Sequence, residues 1–307
     1  MICFNLVKNE IFQPITITMN RRTLLQASLA STLSIPAFAL DKGNPFRKNI
    51  GIQLYTLRNQ IKADVKGTLA AVAKAGYKQV EAYGFDGKAS DMMLAAKDNG
   101  MAVNSTHFAW ESVTNPTKKG VPSFESILEG AKDVGLTHLV IPYLHAQQRK
   151  DLDGYKRVAE LCNKAAQKSK AAGIQLAYHN HAFEFQPQGG EKSGFDVFKS
   201  EFSKDMHFEV DVFWVKVGGV SPVKLIRDLK GRISQLHLKD LKKGTKLPNF
   251  GRLSNDAFKE LGEGSIRMEP IIKAAGKSGV AHCHVEQDHS PDPLASIHQS
   301  MEHLKAL

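Results

Sequence analysis

Histidines, carboxylates and one lysine recur at the ends of short apolar runs in the second half of the chain. In chain order they are His179, His181, Asp211, His237, Lys239 and Glu286. Imidazole nitrogens and carboxylate oxygens are typical ligands of Mn²⁺, Zn²⁺, Fe²⁺ and Co²⁺, and less so of Ca²⁺. The same groups move protons in acid–base catalysis. The residue types therefore indicate a metal site, a proton-transfer site, or both.

The runs that carry these residues alternate with helical segments from residue 50 onward. Strands are predicted at residues 50–55, 78–83, 101–107, 137–143, 174–180, 207–212, 232–238 and 280–286. Eight strands alternating with helices predict a parallel α/β fold, and residues 40–307 are close to the roughly 250 residues of an eight-fold barrel. The alternative is a doubly wound sheet, whose glycine-rich phosphate loop is missing after the first strand. We therefore predict a single-domain (β/α)8 TIM barrel.

A barrel of this kind would bring the chemical residues together. The carboxyl ends of its strands meet on one face, where the active sites of such barrels lie. Side chains alternate along a strand, so His179 and His181 share one side of their strand, as do His237 and Lys239. Any one of these histidines, taken alone, is commonly a hydrogen-bonded core residue. The prediction depends on four successive strand ends that each carry such a group.

The N-terminus has the layout of an export signal. Arg21 and Arg22 precede two leucines, a mildly apolar stretch covers residues 27–36, and Ala37–Ala39 reads as a small-x-small cleavage site. The apolar stretch is too short to cross a membrane, so no stable membrane anchor is expected. We predict a twin-arginine signal over residues 1–39, export to the periplasm by the twin-arginine machinery, and a barrel over residues 40–307.

Two alternatives for the N-terminus stay open. The segment can also be interpreted as an amphipathic N-terminal helix. Met19 lies directly before the arginine pair, so residues 1–18 are also compatible with a mis-called start.

Charge and cysteine usage narrow the class of protein. The formal net charge is +10, but the lysines and arginines are scattered, and no basic run is interleaved with aromatic residues. This distribution disfavours a nucleic-acid partner. Cys162 and Cys283 remain after signal cleavage, one in a helical pattern and one in a strand pattern. They do not indicate a disulfide framework.

The chain resembles the sugar phosphate isomerase/epimerase family, the xylose-isomerase-like metal barrels. Each matching segment is weak alone, but together they follow the family order over nearly the whole mature chain. The segments are GIQLYTLR at 51–58, VE at 80–81, YHNH at 178–181, VD at 210–211, LHLKD at 236–240, GEG at 262–264 and VEQD at 285–288. The family carries one divalent metal, usually held by Glu, Asp, His and Glu from strands five to eight.

The resemblance implies three ligands, Asp211, His237 and Glu286. Where the family usually has its first Glu, this chain has His179, which implies a His₂-Asp-Glu site for one ion of Mn, Zn, Co, Fe or Mg. In the family's epimerases two ligand carboxylates move protons on opposite faces of the sugar. Without the first carboxylate, symmetric two-base epimerisation is disfavoured. The candidate proton-transfer groups are Glu286, His181 and Lys239.

Other matching positions are expected to line a sugar pocket. The candidate substrate-binding residues are Tyr55, Glu81, His107, Glu184 and Trp214. Trp214 is suited either to stack on a sugar face or to pack a helix. Tyr55 and Glu81 are equally suited to support the site from behind. Glu184 and His181 are alternatives to His179 as the ligand that replaces the missing carboxylate.

The predicted function is that of an exported, divalent-metal-dependent enzyme acting on a carbohydrate through an enediolate or enolate. Isomerisation, epimerisation and lyase or hydratase chemistry on a 3-keto sugar all fit this description. The alternative from another class is a non-catalytic exported sugar-binding barrel, and bound metal would distinguish the two. A phosphodiesterase like the abasic-site endonucleases fits poorly, because it requires a multi-metal cluster and a DNA-facing groove.

Overall fold

The computed structural model describes residues 44–84 and 87–307. Eight parallel strands close into a barrel, which confirms the predicted TIM-barrel fold. Its strands, numbered here from one to eight, are Gly51–Gln53, Gln79–Tyr83, Ala102–His107, His138–Ile141, Gln175–His179, Met206–Asp211, Ile233–Leu238 and His282–Val285. The predicted signal at residues 1–39 lies outside the described residues.

The strands pair in sequence order, and the first strand closes the barrel against the eighth. In this register Asp211 lies opposite His237 and His179 lies opposite Glu209. Strand eight pairs with strand seven so that His284 is level with His237. Polar residues from four successive strands are therefore at similar depths in the barrel.

Helices follow the strands on the outside of the barrel. They are Arg58–Ala63, Val65–Ala75, Gly87–Asp98, Glu111–Thr114, Phe124–Asp133, Leu152–Ala171, Gly194–Glu201, Val212–Val217, Pro222–Asp228, Met268–Ser278 and Pro293–Lys305. Their ends follow local rules: the Asp64 side chain caps one helix by accepting from Gly67 N at 2.9 Å. Gly76, with φ of 110°, ends that helix in a left-handed conformation. Among the described helices, none has the length and apolar character needed to cross a membrane.

Alternation along the strands separates an apolar layer from a polar barrel interior. Val210 and Leu236 belong to the hydrophobic core, whereas Glu209, Gln235 and His237 are fully buried polar residues between them. Burying a polar group is costly unless it is hydrogen-bonded. Much of this polar interior is hydrogen-bonded, although Gln235 Oε1 and both ring nitrogens of His284 are buried without a hydrogen-bond partner.

A loop after strand seven is tied to the barrel by Asp240. Its carboxylate accepts the backbone N–H groups of Gly262 and Gly264 at 3.0 Å each, and of Ile266 at 2.8 Å. A Cβ at position 264 would lie 2.2 Å from Asp240 Oδ1, so only glycine fits there. The GEG segment is thus an anchored turn beside a short antiparallel pair, Asp240–Leu241 with Phe258–Lys259.

Strand one is shorter than the sequence predicts. It ends at Gln53, and the segment Leu54–Leu57 forms a 3-10 helix instead of continuing as strand to residue 55. The Gln53 side chain causes this turn by accepting the N–H of Tyr55 at 3.0 Å. Tyr55 is therefore turned outward and is 43% exposed.

Candidate active site

The four predicted ligands converge at the carboxyl ends of strands five to eight. His179, Asp211, His237 and Glu286 each place one nitrogen or oxygen within 4.8 Å of the others, and all four residues are buried. His179 Nε2 lies 3.3 Å from Asp211 Oδ2, and His237 Nδ1 lies 2.7 Å from Glu286 Oε2. The barrel thus brings residues up to 107 positions apart in the sequence into one cluster.

The donor set fits a divalent metal. His237 Nδ1, which lies 2.7 Å from Glu286 Oε2, is a buried atom without a hydrogen-bond partner in suitable geometry. Buried polar atoms are rarely left in this condition unless something else binds them. Two imidazoles and two carboxylates are a ligand combination that Zn²⁺, Mn²⁺, Fe²⁺ and Co²⁺ accept.

Asp211 is held with one oxygen turned toward the cluster. Its Oδ1 accepts the backbone N–H groups of Phe213 and Trp214 at 2.9 and 3.0 Å, which caps the short helix Val212–Val217. Burial raises the pKa of Asp211, but the charge of Lys239 and the hydrogen bond from His179 outweigh it and lower the pKa to about 2. The carboxylate is therefore ionised at neutral pH.

His237 is oriented from behind by Glu81. Its Nε2 lies 2.7 Å from Glu81 Oε1 and 3.3 Å from Glu209 Oε2, while Nδ1 faces Glu286. Burial would lower the pKa of His237, but the charges of Glu209 and Glu286 raise it well above its ordinary value. Such a carboxylate partner fixes the tautomer and ring angle of a ligating histidine.

Below the cluster, Glu81 and Glu209 share a hydrogen-bond network. Gln235 Nε2 donates to Glu81 Oε2 at 3.0 Å and to Glu209 Oε1 at 2.8 Å. Gln53 donates to Glu81 at 2.8 Å, and the Ser105 hydroxyl donates to the same carboxylate. Each acceptor oxygen of Glu81 is thereby satisfied without solvent.

His107 supplies positive charge to this network. Its Nε2 lies 2.9 Å from Glu209 Oε2 and 3.3 Å from Glu81 Oε1. Burial would lower the pKa of His107, but the two carboxylates raise it to about 9. His107 is thus a cation that offsets two buried negative charges, and it also reaches the cavity above.

Lys239 lies among three carboxylates. Its Nζ is 3.0 Å from Asp211 Oδ2, 2.7 Å from Glu286 Oε2 and 3.1 Å from Asp288 Oδ2. Burial would lower the pKa of Lys239, but these charges raise it well above its ordinary value. An ammonium in this setting holds its proton and acts as a donor.

A cavity of about 960 Å³ opens above the cluster. Its size is at the upper end of the range for small-molecule sites. Of the predicted site residues, seven line it: Tyr55, His107, His179, His181, Trp214, Lys239 and Glu286. The other four, Glu81, Glu184, Asp211 and His237, do not line it.

His181 reaches the cavity beside the cluster. Its ring centroid lies 5.0 Å from that of His179 and 5.3 Å from that of Trp214. Burial, together with the proximity of His179 and Lys239, lowers the pKa of His181 well below its ordinary value. The imidazole is therefore neutral, and its buried Nδ1 has no hydrogen-bond partner.

Glu184 supports the segment that carries His181. Its carboxyl group contacts the Tyr178 hydroxyl at 2.6 Å and accepts the His181 backbone N–H at 2.8 Å. Burial raises the pKa of Glu184 to about 8, so the group is mostly protonated at neutral pH. Its position is behind the cavity wall, and it is not part of the four-residue donor cluster.

The sequence interpretation assigned no role to several residues of the site. Glu209 and Gln235 complete the network below the cluster, and Asp288, Tyr143 and Trp110 line the cavity. Glu209, Gln235 and Asp288 carried a signal, because each stands two residues from a candidate ligand on the same side of its strand. Tyr143 and Trp110 carried no such signal, since neither stands two residues from a candidate ligand.

The fold and the cluster define a (β/α)8 barrel with a candidate metal-binding site and a small-molecule cavity at the carboxyl ends of its strands. The chain belongs to the xylose isomerase-like TIM barrel family, whose model matches residues 69–307. This confirms the resemblance found in the sequence.

Solved structures agree with this assignment. A sugar phosphate isomerase/epimerase from Parabacteroides distasonis is 25% identical, with a TM-score of 0.68 over 89% of this chain and 98% of that one. The probable 3-DHS dehydratase AsbF from Bacillus anthracis is 12% identical, with a TM-score of 0.64 over 83% and 98%. The IolI protein, solved with a bound zinc atom, is 14% identical, with a TM-score of 0.62 over 84% and 98%. The last two show the shared fold alone. No curated protein matches the sequence significantly.

Proposed function

We propose that this protein is a divalent-metal-dependent enzyme that acts on a carbohydrate through an enediolate or enolate. The observation that carries the proposal is the convergence of His179, Asp211, His237 and Glu286 below a cavity of about 960 Å³. Membership of the xylose isomerase-like family supports it. The reaction classes that fit are isomerisation, epimerisation, and lyase or hydratase chemistry on a 3-keto sugar.

His179, Asp211, His237 and Glu286 would hold one ion of Mn, Zn, Co, Fe or Mg. A bound ion of this kind supplies Lewis-acid polarisation of two adjacent substrate oxygens. Glu81 keeps His237 aimed at the cluster, and two backbone N–H groups keep Asp211 Oδ2 turned toward it. The protein thus fixes the ligands before the substrate arrives.

His181 is the best-placed proton acceptor. It lines the cavity and is neutral, and its Nδ1 has no protein partner. Glu286 is less suited to this role, because His237 and Lys239 both lie 2.7 Å from its Oε2. A neutral imidazole close to the reacting carbon is the usual arrangement for general-base catalysis.

Lys239 is suited to the opposite role. Asp288, a carboxylate outside the donor cluster, lies 3.1 Å from its ammonium and favours the protonated form. A protonated amine that reaches the cavity stabilises negative charge that develops on a substrate oxygen. We therefore assign the removal of the proton to His181 and the stabilisation of the oxygen to Lys239.

Aromatic rings suit the cavity to a sugar. Trp214 lines the wall next to His181, and Tyr55 lies at the mouth with the Arg58 guanidinium 4.3 Å from its ring centroid. Aromatic faces bury the apolar face of a sugar, while their edges leave its hydroxyls free for hydrogen bonds. This arrangement supports a carbohydrate over a purely apolar ligand.

Deuterium exchange tests the proposed chemistry. Metal-loaded protein is incubated in D₂O with a panel of free, 3-keto and glycosidic sugars, and chelator-treated protein serves as the control. Enolisation replaces a carbon-bound proton by deuterium, and NMR identifies that carbon. Uptake that needs the metal supports the proposal. Exchange with no sugar of the panel, by protein that holds its metal, would favour a non-catalytic sugar-binding barrel.

We also propose that the protein reaches the periplasm through the twin-arginine machinery. Support comes from the sequence of residues 20–39 alone. A reporter fused after residue 42 should be exported, and Arg21→Lys with Arg22→Lys should keep it in the cytoplasm. Unchanged export of the double variant would contradict the proposal.

A further inference from the structure

The ammonium of Lys239 forms ion pairs with the same carboxylate oxygens that face the histidines of the candidate metal site. Asp211 Oδ2, which is 3.3 Å from His179 Nε2, is 3.0 Å from Lys239 Nζ. Glu286 Oε2, which is 2.7 Å from His237 Nδ1, is also 2.7 Å from Nζ. We call Asp211 and Glu286 the inner carboxylates.

A third carboxylate holds the lysine from the cavity side. Asp288 Oδ2 lies 3.1 Å from Nζ, and Asp288 is not a member of the donor cluster. Its side chain is 14% exposed, whereas those of the inner carboxylates are 0% and 6% exposed. The centroid of the Trp214 ring also lies 5.9 Å from Nζ. The lysine therefore has an outer partner that a metal ligated by the inner carboxylates would leave free.

A metal and the lysine compete for the inner carboxylates. Divalent ions bind carboxylate oxygens at about 2.0–2.2 Å, so an ion on Asp211 and Glu286 would lie very close to an ammonium on the same two oxygens. Two positive charges at such a distance in a buried site repel each other strongly. The long, flexible stem of lysine lets the ammonium move, which a rigid side chain would not allow.

We propose that Lys239 competes with the metal ion for the inner carboxylates. When the ion binds, Lys239 releases both of them and stays paired with Asp288 alone. Asp288 is a positioning residue in this scheme, because it acts on the metal through Lys239. The inference rests on the metal site of the proposed function but is independent of the sugar chemistry.

Mn²⁺ titration of the purified protein by calorimetry tests the competition. Lys239→Met keeps the length of the side chain and removes its charge, so Mn²⁺ should bind at least tenfold more tightly than to wild type. Asp288→Asn weakens the outer position, so Mn²⁺ should bind less tightly. Lys242→Met is the matched control, since Lys242 is half-exposed and pairs with Asp256. Its affinity should equal that of wild type.

A double variant separates this scheme from general electrostatics. Removing a negative charge at residue 288 would weaken metal binding through space whether or not Lys239 is present. If Asp288 acts through the lysine, the effect of Asp288→Asn should disappear in the Lys239→Met background. Coupling of this kind is what a double-mutant cycle measures.

The outcomes are distinct. A Lys239→Met protein that binds Mn²⁺ no better than wild type would show that Lys239 does not compete with the metal. An effect of Asp288→Asn that persists in the double variant would show that Asp288 does not act through Lys239. If Lys239→Met does not fold, unchanged Mn²⁺ affinity in Asp288→Asn alone would still overturn the proposal. If neither wild type nor Lys239→Met binds Mn²⁺ or Zn²⁺, the metal site of the proposed function fails as well.

Discussion

The Nε2 atom of His237 lies 2.7 Å from Oε1 of Glu81, a carboxylate on the opposite side of the barrel that does not reach the cavity. This contact leaves Nδ1 of the same ring directed at Glu286. The orientation of one candidate ligand is therefore set by a residue from strand two, although the ligands themselves come from strands five to eight.

Glu81→Gln should weaken metal binding about 10- to 100-fold, the usual cost of losing the carboxylate that holds a ligating histidine in place. The amide would also place N–H groups against the Gln53 and Gln235 donors, which should lower the free energy of unfolding by about 1–3 kcal/mol. Metal titration and chemical denaturation measure the two effects.

Glu184→Gln is the matched control for this experiment. It is also a buried Glu-to-Gln change, but Glu184 contacts Tyr178 and the His181 backbone, and no member of the donor cluster. Its metal affinity should equal that of wild type. Equal affinity in Glu81→Gln as well would show that Glu81 does not orient His237.

Glu184 should also make stability depend on pH. Its pKa is 4.5 in its ordinary environment and about 8 in the folded protein, because burial disfavours the charged form. Between these values the folded protein binds one proton more than the unfolded chain, so stability falls as pH rises toward 8. The difference is on the order of a few kcal/mol.

Comparing wild type with Glu184→Gln isolates this dependence. The amide is neutral at every pH, so the variant should gain stability relative to wild type as the pH is raised from 6 to 9. Denaturation in the presence of a chelator, at pH 6, 7.5 and 9, measures the difference without a contribution from metal binding. A constant difference over this range would contradict the raised pKa.

Much of the site followed from local sequence signals. Polar residues at the ends of apolar runs, such as Asp211 and His237, were predicted to meet because parallel strands place their carboxyl ends on one face of a barrel. Strand and helix order followed from hydrophobic patterning and from caps such as Gly76. These features depend on near neighbours in the chain.

Other features could not be predicted, because they arise from contacts between distant strands. Lys239 was a candidate base in the sequence, yet carboxylates from two other strand ends keep it protonated. The sequence left Glu81 open between the pocket and a supporting position, and the contact with His237 below the cavity decides for the supporting position. Charge state and depth in the barrel are set by all strands together, and no single segment encodes them.

His179 is the residue at which this chain departs from the usual ligand pattern. Its Nε2 lies 3.3 Å from Asp211 Oδ2, so His179→Ala should weaken metal binding by removing a ligand. His179→Glu should restore binding, because a carboxylate also donates a lone pair from that strand end. The added negative charge should lower Lewis acidity and change turnover. Full metal content in His179→Ala would instead assign His179 to the substrate pocket.

The metal content of the purified protein tests most directly whether the ends of strands five to eight form a metal site. Wild type should carry about one divalent ion per chain. Asp211→Ala and His237→Ala should each lose most of it, because each variant lacks one of the four ligands. His298→Ala, at an exposed histidine of the last helix, is the control and should keep its metal. Full metal content in both Asp211→Ala and His237→Ala would contradict the account.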